Sequence, residues 1–116
     1  MKYEESSTVE LEPEVTDDIK KEVIAFGNAE GGTLYIGIED DGIVVGVENI
    51  DDCILRISNA IGDVIKPDGT MFVGYEKVEH GDKIVLKIKV QRGTQRPYYI
   101  AQKGIRSEGV YIRQGN

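Results

Sequence analysis

Acidic residues at two places in the chain have the chemistry of a metal-dependent site. Glu5 and Glu10 lie near the start of the sequence, and Asp40 lies in an acidic run that ends an apolar, strand-like segment. Adjacent strands would bring the three side chains together. Clustered carboxylates bind Mg²⁺ or Mn²⁺, and such ions support phosphodiester cleavage by activating water and neutralising charge. The alternative, which composition alone favours, is that all three are solvated residues at strand ends and turns.

Basic residues are concentrated in the last third of the chain. Residues 1–82 contain 6 Lys and Arg against 20 Asp and Glu, whereas residues 83–116 contain 8 against 1, within a net charge of −7. This asymmetry indicates either an anionic partner or pairing between the two parts across the surface. The candidate phosphate-binding residues are Lys87, Lys89, Arg92, Arg96, Arg106 and Arg113. Tyr98, Tyr99 and Tyr111 are candidates for stacking on bases, with core packing as the alternative.

The first two-thirds of the sequence predicts two helices and three strands. A strand over residues 8–12 precedes a helix that begins at residues 16–18, carries an apolar stripe and ends at Gly31-Gly32. Strands are predicted over residues 33–39 and 43–45, joined by a tight hairpin at Asp41-Gly42. A second helix begins near residues 49–52, and a stripe of isoleucines continues until Pro67.

The last third predicts only strands and turns. Residues 71–79 and 83–91 flank a short turn and should form a hairpin, followed by strands at residues 97–101 and 109–113. In the second hairpin strand the even-numbered apolar residues from Ile84 face the core, so Lys83, Lys87 and Lys89 share the opposite face with Val85. The predicted fold is α+β, a mixed sheet with two helices in the order β-α-β-β-α-β-β-β-β.

Length and composition exclude several classes of protein. The 116 residues fit one domain, 1–116, and 40% hydrophobic residues is typical of a globular protein. We expect a cytoplasmic protein without a membrane segment, because no apolar run approaches the ~20 residues of a membrane span and Cys53 is the only cysteine. No nucleotide cofactor is predicted, because Gly31-Gly32 follows a helix, whereas a phosphate cradle precedes one. His80 is the only histidine, so a structural metal site at this residue is not predicted. The sequence stops just after a strand-like run, as expected of a piece of a longer protein.

Four stretches of the chain resemble one known domain. Residues 5–10 (ESSTVE) and 22–40 (EVIAFGNAEGGTLYIGIED) are similar to the motifs ES-x-x-VEFK, AFANT-x-GG and L-x-IGV-x-D of the Schlafen-type, AlbA-like DNA-binding domain. Residues 96–99 (RPYY) and 110–113 (VYIR) are similar to its closing strands. The resemblance covers nearly the whole chain, and the glycine-strand block is its most specific part.

The resemblance implies a nucleic-acid-binding module of a transcriptional-regulator-like or helicase-related protein, with DNA as the expected ligand. In animal Schlafen proteins a similar domain cleaves structured RNA with three acidic residues, which correspond to Glu5, Glu10 and Asp40. These three would hold Mg²⁺ or Mn²⁺ if the chain were a nuclease; otherwise no cofactor is expected. Glu12 replaces the family lysine, and only one copy of the domain is present, so we expect the isolated domain to be a poor nuclease. A dimerisation or protein-interaction module, including a homodimer, is the remaining alternative.

Overall fold

Two helices and a mixed sheet form the fold. The computed structural model describes residues 3–66, 72–94 and 96–100, so the predictions for Arg106, Tyr111, Arg113 and the strand at 109–113 lie outside the described residues. The elements in chain order are β1 (Val9–Glu12), α1 (Asp18–Asn28), β2 (Gly32–Ile36), α2 (Ile50–Val64), β3 (Ile65–Lys66), β4 (Val73–His80), β5 (Lys83–Val90) and β6 (Tyr99–Ile100). The predicted α+β class with two helices and a mixed sheet is confirmed.

Within the described residues, the main sheet has four strands in the order β1-β2-β5-β4. β1 and β2 are parallel, because α1 connects them as a crossover, and the other two pairs are antiparallel. A two-residue turn that begins at Gly81, with φ of 63°, joins β4 to β5 and sets their register, as the sequence predicts. β3 and β6 form a separate two-stranded sheet.

The core lies between the main sheet and the two helices. Val23 and Phe26 of α1 pack with Leu34, Leu86 and Ile88 of the sheet, and all five are fully buried. The prediction of this apolar face is confirmed for the strand residues Leu34, Ile36, Leu86 and Ile88. Full burial of such a side chain stabilises the fold by about 1.5–3 kcal/mol. Cys53 is also buried in this core, as a small apolar residue would be.

Three of the predicted core residues lie at the margin of this core. Ile84 of β5 and Ile54 and Ile61 of α2 are only partly buried, although they pack against it. The isoleucine stripe of α2 is therefore confirmed, with its flanking members at the edge of the contact.

Ile38 was predicted to continue the apolar face of β2, and this is wrong. Ile38 is fully buried, but it packs with Tyr3, Leu11 and Val85 in a second cluster on the opposite face of the sheet. The reason is Gly37, whose φ of 105° ends the regular alternation of the strand and reverses the side toward which the following residue points.

The strand predicted at residues 43–45 is also absent, and the hairpin is reduced to a turn with one isolated bridge between Ile38 and Val44. The N–H groups of Val45 and Gly46 both donate to the carbonyl of Gly37, so the chain turns away instead of continuing the ladder. The element order is therefore β-α-β-α-β-β-β-β over the described residues, with one predicted strand missing and the short β3 not predicted.

The ends of α1 agree with the sequence signals. Thr16 Oγ1 accepts a hydrogen bond from the Asp18 N–H (3.2 Å) at the beginning of the helix. At the other end the Gly31 N–H donates to the Phe26 carbonyl (2.9 Å), and Gly31 has a φ of 84°. The glycine pair is thus a helix stop.

Among the residues that the structure describes, neither helix is long and apolar enough to cross a membrane.

Candidate nucleic-acid interface

One half of the sheet face opposite the helices is covered by the chain itself. Tyr3 lies on this face, with its ring 4.8 Å from that of Tyr35 and its hydroxyl hydrogen-bonded to Nε2 of His80 (2.6 Å). The second apolar cluster, with Leu11, Ile38 and Val85, lies beneath this N-terminal segment. Val85 was predicted to share the lysine face, and its burial here follows from this cover.

The other half of the same face carries the predicted lysines. Alternation along β5 places Lys87 and Lys89 on the face of Val85, because Leu86 and Ile88 are buried on the opposite face. Lys89 is exposed and Lys87 is half-buried. The structure therefore agrees with the side predicted for both lysines.

The register of the sheet gives the two lysines different neighbours. Lys89 lies directly opposite Thr33 of β2 and Gly74 of β4, neither of which carries a charge. Lys87 lies opposite Tyr35 and Glu76, so a carboxylate faces it across the ladder. Opposite charges in register attract each other. Lys89 is therefore the better placed of the two to receive a phosphate.

Arg92 lies two residues after the end of β5, at the end of the sheet where β2 begins. Its Nη1 is 3.8 Å from Oε1 of Glu30, and the two side chains are 51% and 80% exposed. An ion pair that exposed contributes about 0–1 kcal/mol, so a phosphate could compete with Glu30 for the guanidinium. Arg96 is exposed as well, in the segment that leads to β6.

The segment that carries Arg96 is fixed by Asn28 at the end of α1. The Asn28 Nδ2 donates to the Tyr98 carbonyl (3.1 Å), and its Oδ1 accepts from the Tyr98 N–H (2.6 Å). The Tyr98 ring is fully buried over Gly93, where an added Cβ would lie 2.0 Å from ring atom Cε2. Tyr98 is thus a core residue and not a stacking platform, whereas Tyr99 is half-buried in β6.

Glu5 and Asp40 lie on chain segments that meet. Glu5 Oε2 accepts a hydrogen bond from the Leu11 N–H (3.2 Å) at the edge of β1. Asp40 is exposed in the turn that Gly42 closes, and an added Cβ at Gly42 would lie 2.5 Å from the Tyr3 carbonyl oxygen. The two segments therefore touch at Tyr3 and Gly42.

Glu10 lies in a different carboxylate group. One oxygen each from Glu10, Glu12 and Glu22 lie within 4.8 Å of one another, and within the described parts of the chain this is the group of three with metal-ligand spacing. Glu5 and Asp40 are not members of it. The prediction that Glu5, Glu10 and Asp40 together hold a metal ion stays a prediction.

Glu22 has a raised pKa in this group. Burial, a side-chain hydrogen bond with Glu12 and the charges of Glu12, Glu10 and Asp18 raise the pKa of Glu22 to about 10. Its Oε1 is buried and has no hydrogen-bond partner among the residues described. Protonation of Glu22 relieves its repulsion with the neighbouring carboxylates of Glu10 and Glu12. Glu12, which replaces the family lysine, is thus hydrogen-bonded to Glu22 of α1.

Two features of this region were not predicted from the sequence. Glu22 is half-buried at the edge of the apolar stripe of α1, and only the parallel pairing of β1 with β2 brings it beside Glu12. Asn28 belongs to the motif that carries the family resemblance, but its partner Tyr98 lies 70 residues away. The sequence did contain one indication of this role, because Asn28 is a polar residue directly after a run of buried residues at the end of α1.

Comparison with known proteins gives a clear family match. The sequence family described as Schlafen, AlbA_2 matches residues 4–116. The chain belongs to this family. The resemblance seen in the glycine-strand block is therefore confirmed.

Two solved structures share this Schlafen and AlbA_2 fold. One is the solution NMR structure of the N-terminal domain of a protein from Nitrosomonas europaea whose name is putative ATP-dependent DNA helicase RecG-related protein. It has a TM-score of 0.71 and 23% sequence identity, and the match covers 98% of this chain and 82% of that one. The crystal structure of the DIP2311 protein from Corynebacterium diphtheriae has a TM-score of 0.65 and 23% identity over 94% of this chain and 21% of that one. No curated protein matches the sequence.

Proposed function

We propose that this domain binds nucleic acid, DNA in the first instance, through the half of the sheet face that carries Lys87 and Lys89, as one module of a regulator-like cytoplasmic protein. The observation that carries the proposal is the alternation of β5, which puts both lysines on the side that α1 and α2 leave open. Family membership supports it, as does the name of the RecG-related protein whose fold is similar.

The charge distribution supports backbone contacts more than base recognition. Lysine and arginine contacts to phosphate position a protein on nucleic acid and carry no sequence information. Lys89, Arg92 and Arg96 are exposed around one end of the sheet, while the net charge of the whole chain is −7. We therefore expect weak binding by one copy, with steep salt dependence.

A salt titration of binding to DNA and RNA tests the proposal. Each phosphate contact releases condensed counterions, so the logarithm of the binding constant should fall linearly with the logarithm of salt concentration. Labelled DNA and RNA of the same sequence, titrated with protein at several salt concentrations, give both the preferred nucleic acid and the slope. An absence of binding to either at low salt contradicts the proposal.

A metal-dependent nuclease that acts on RNA or DNA is a second candidate. The contact of the segments that carry Glu5 and Asp40, and the membership of Glu10 in a carboxylate group, favour it. Carboxylate oxygens are the ligands that Mg²⁺ prefers. Because Glu12 is acidic where the family has lysine, and only one copy of the domain is present, we expect poor cleavage by the isolated domain. Cleavage of structured RNA with Mn²⁺ that disappears in Asp40→Ala would establish the nuclease instead.

A further inference from the structure

Phe72, the residue immediately before β4, exposes an aromatic ring to solvent. It is 69% exposed, whereas the other large hydrophobic residues exposed in the described chain are the aliphatic Ile43, Val45 and Leu55. Exposure of an aromatic side chain forgoes the stabilisation that its burial would give. Aromatic rings are the residues on which unpaired bases stack in proteins that bind single strands.

The ladder places Phe72 on the same face as the lysines. Its carbonyl accepts a hydrogen bond from the Gln91 N–H (3.0 Å), which continues the pairing of Val73 with Val90 and of Gly74 with Lys89. Val73 packs against the main core, so by alternation the preceding residue points to the opposite face. Phe72 is therefore a diagonal neighbour of Lys89, with backbones about 7–8 Å apart.

The described residues leave a gap between Phe72 and Lys89 at Gly74. Gly74 lies between Phe72 and Glu76 on this face, and an added Cβ at Gly74 would meet no atom within 4 Å. Lys89 faces only Thr33 and Gly74 across the ladder, so its ammonium group is not opposed by a carboxylate in register. An aromatic ring, a gap and a cation thus lie side by side, with Arg92 beyond the end of β5.

We propose that Phe72 stacks on an unpaired base of a single strand whose phosphate contacts Lys89. The inference rests on the proposed function and narrows its ligand class to single-stranded nucleic acid. In a duplex every internal base is already stacked on both sides, so the ring has no free base face to cover. A single strand presents one, and stacking tolerates any base because each has a π-face.

The test compares an oligo(dT) strand with a blunt DNA duplex of equal length. Phe72→Ala should weaken binding to the single strand by about tenfold, in the range that stacking contributes per base, and leave duplex binding unchanged within about twofold. Phe72→Tyr keeps the ring and should restore single-strand binding. Leu55→Ala, which removes a 58% exposed apolar side chain from α2, is the matched control and should change neither affinity.

A second variant reports the contact directly. The sequence contains no tryptophan, so Phe72→Trp supplies a single fluorophore that a stacked base should quench. Quenching by oligo(dT) but not by the duplex supports the inference.

Two results overturn the inference but keep the proposed function. In the first, Phe72→Ala weakens binding to the single strand and to the duplex equally, and in the second it weakens binding to neither. In both cases Lys89→Ala still weakens binding to the single strand and to the duplex. Failure of the wild-type protein to bind strand or duplex overturns both proposals.

Discussion

At the scale of single residues, Glu22 shows how packing changes the chemistry of a side chain. Its position on α1 is half-buried, and it meets the acidic side chains of β1 because a parallel crossover lays the helix over that strand. Periodicity predicted the helix and its buried stripe, but the neighbours of a residue at the edge of the stripe depend on strand order. For this reason the sequence indicated that Glu12 departs from the family and did not reveal that Glu22 lies beside it.

The raised pKa of Glu22 predicts a pH-dependent stability. The carboxyl ionises near its ordinary value of 4.5 in the unfolded chain but stays protonated in the folded protein, so unfolding releases a proton between 4.5 and the raised pKa. The contribution is therefore fully present below 4.5 and is lost as pH rises. Glu22→Gln cannot ionise, so it should be more stable than the wild type at alkaline pH. Urea unfolding at about pH 5 and about pH 9 measures the difference in stability.

Glu14→Gln, at an exposed glutamate, is the control. Identical pH profiles for wild type and Glu22→Gln would contradict the assignment.

Asn28 makes a second prediction at this scale. Because its amide pairs with both the N–H and the carbonyl of Tyr98, Asn28→Ala removes two hydrogen bonds at once. We expect a loss of about 1–3 kcal/mol in the free energy of unfolding. Asn59→Ala, at an exposed position of α2, should change stability little. Denaturant unfolding of the two variants decides it, and equal stabilities would show that Asn28 does not hold the segment that carries Arg96.

At the scale of elements, Gly37 decides where β2 ends and which side the following residue occupies. The alternation of Leu34, Ile36 and Ile38 in the sequence predicts one continuous strand, and nothing in that pattern shows a positive φ at the glycine between them. A glycine inside a strand pattern is compatible with a bulge or with close approach of another backbone, and it does not by itself show which of these occurs. The structure shows both a φ of 105° and backbone contact with Gly46.

Replacement of this glycine should be costly. An alanine Cβ at residue 37 would lie 3.0 Å from the Gly46 carbonyl carbon and from Cγ2 of Val47, in addition to the strain of a positive φ. Glycine replacement at a compatible position stabilises a protein by roughly 0.4–1 kcal/mol, and replacement at an incompatible position destabilises it by more than that amount. Gly37→Ala should therefore destabilise the fold by more than about 1 kcal/mol. The matched control is Gly62→Ala in α2, where an added Cβ meets nothing within 4 Å and a stabilisation of about 0.5–1 kcal/mol is expected. Thermal unfolding of both variants tests the pair, and the same sign for both would be inconsistent with the proposed strand end.

At the scale of the whole molecule, the two faces of the sheet differ in how much of each is covered by the rest of the chain. Among the residues that the structure describes, α1 and α2 close one face, and the N-terminal segment covers half of the other and leaves the half around Lys89 uncovered. Composition predicted the charge asymmetry, and alternation predicted the face of the lysines, because both are properties of local sequence. The extent of the open half could not be predicted, since it depends on where residues 3–6 and the turn after Gly37 lie on the sheet.

The most direct test of the proposed function is a salt titration of nucleic-acid binding by two matched double variants. Lys87→Ala with Lys89→Ala removes two cations from the open face, and Lys20→Ala with Lys77→Ala removes two from the side of the helices, where Lys77 pairs with Asp51. The first pair should weaken binding to all sequences about equally and flatten the log–log slope by roughly 0.7–0.9 for each lost contact, while the second should leave the slope unchanged. Both should stay folded, since surface substitutions usually cost within about 0.5 kcal/mol. Equal slopes for the two double variants would contradict a phosphate path along β5.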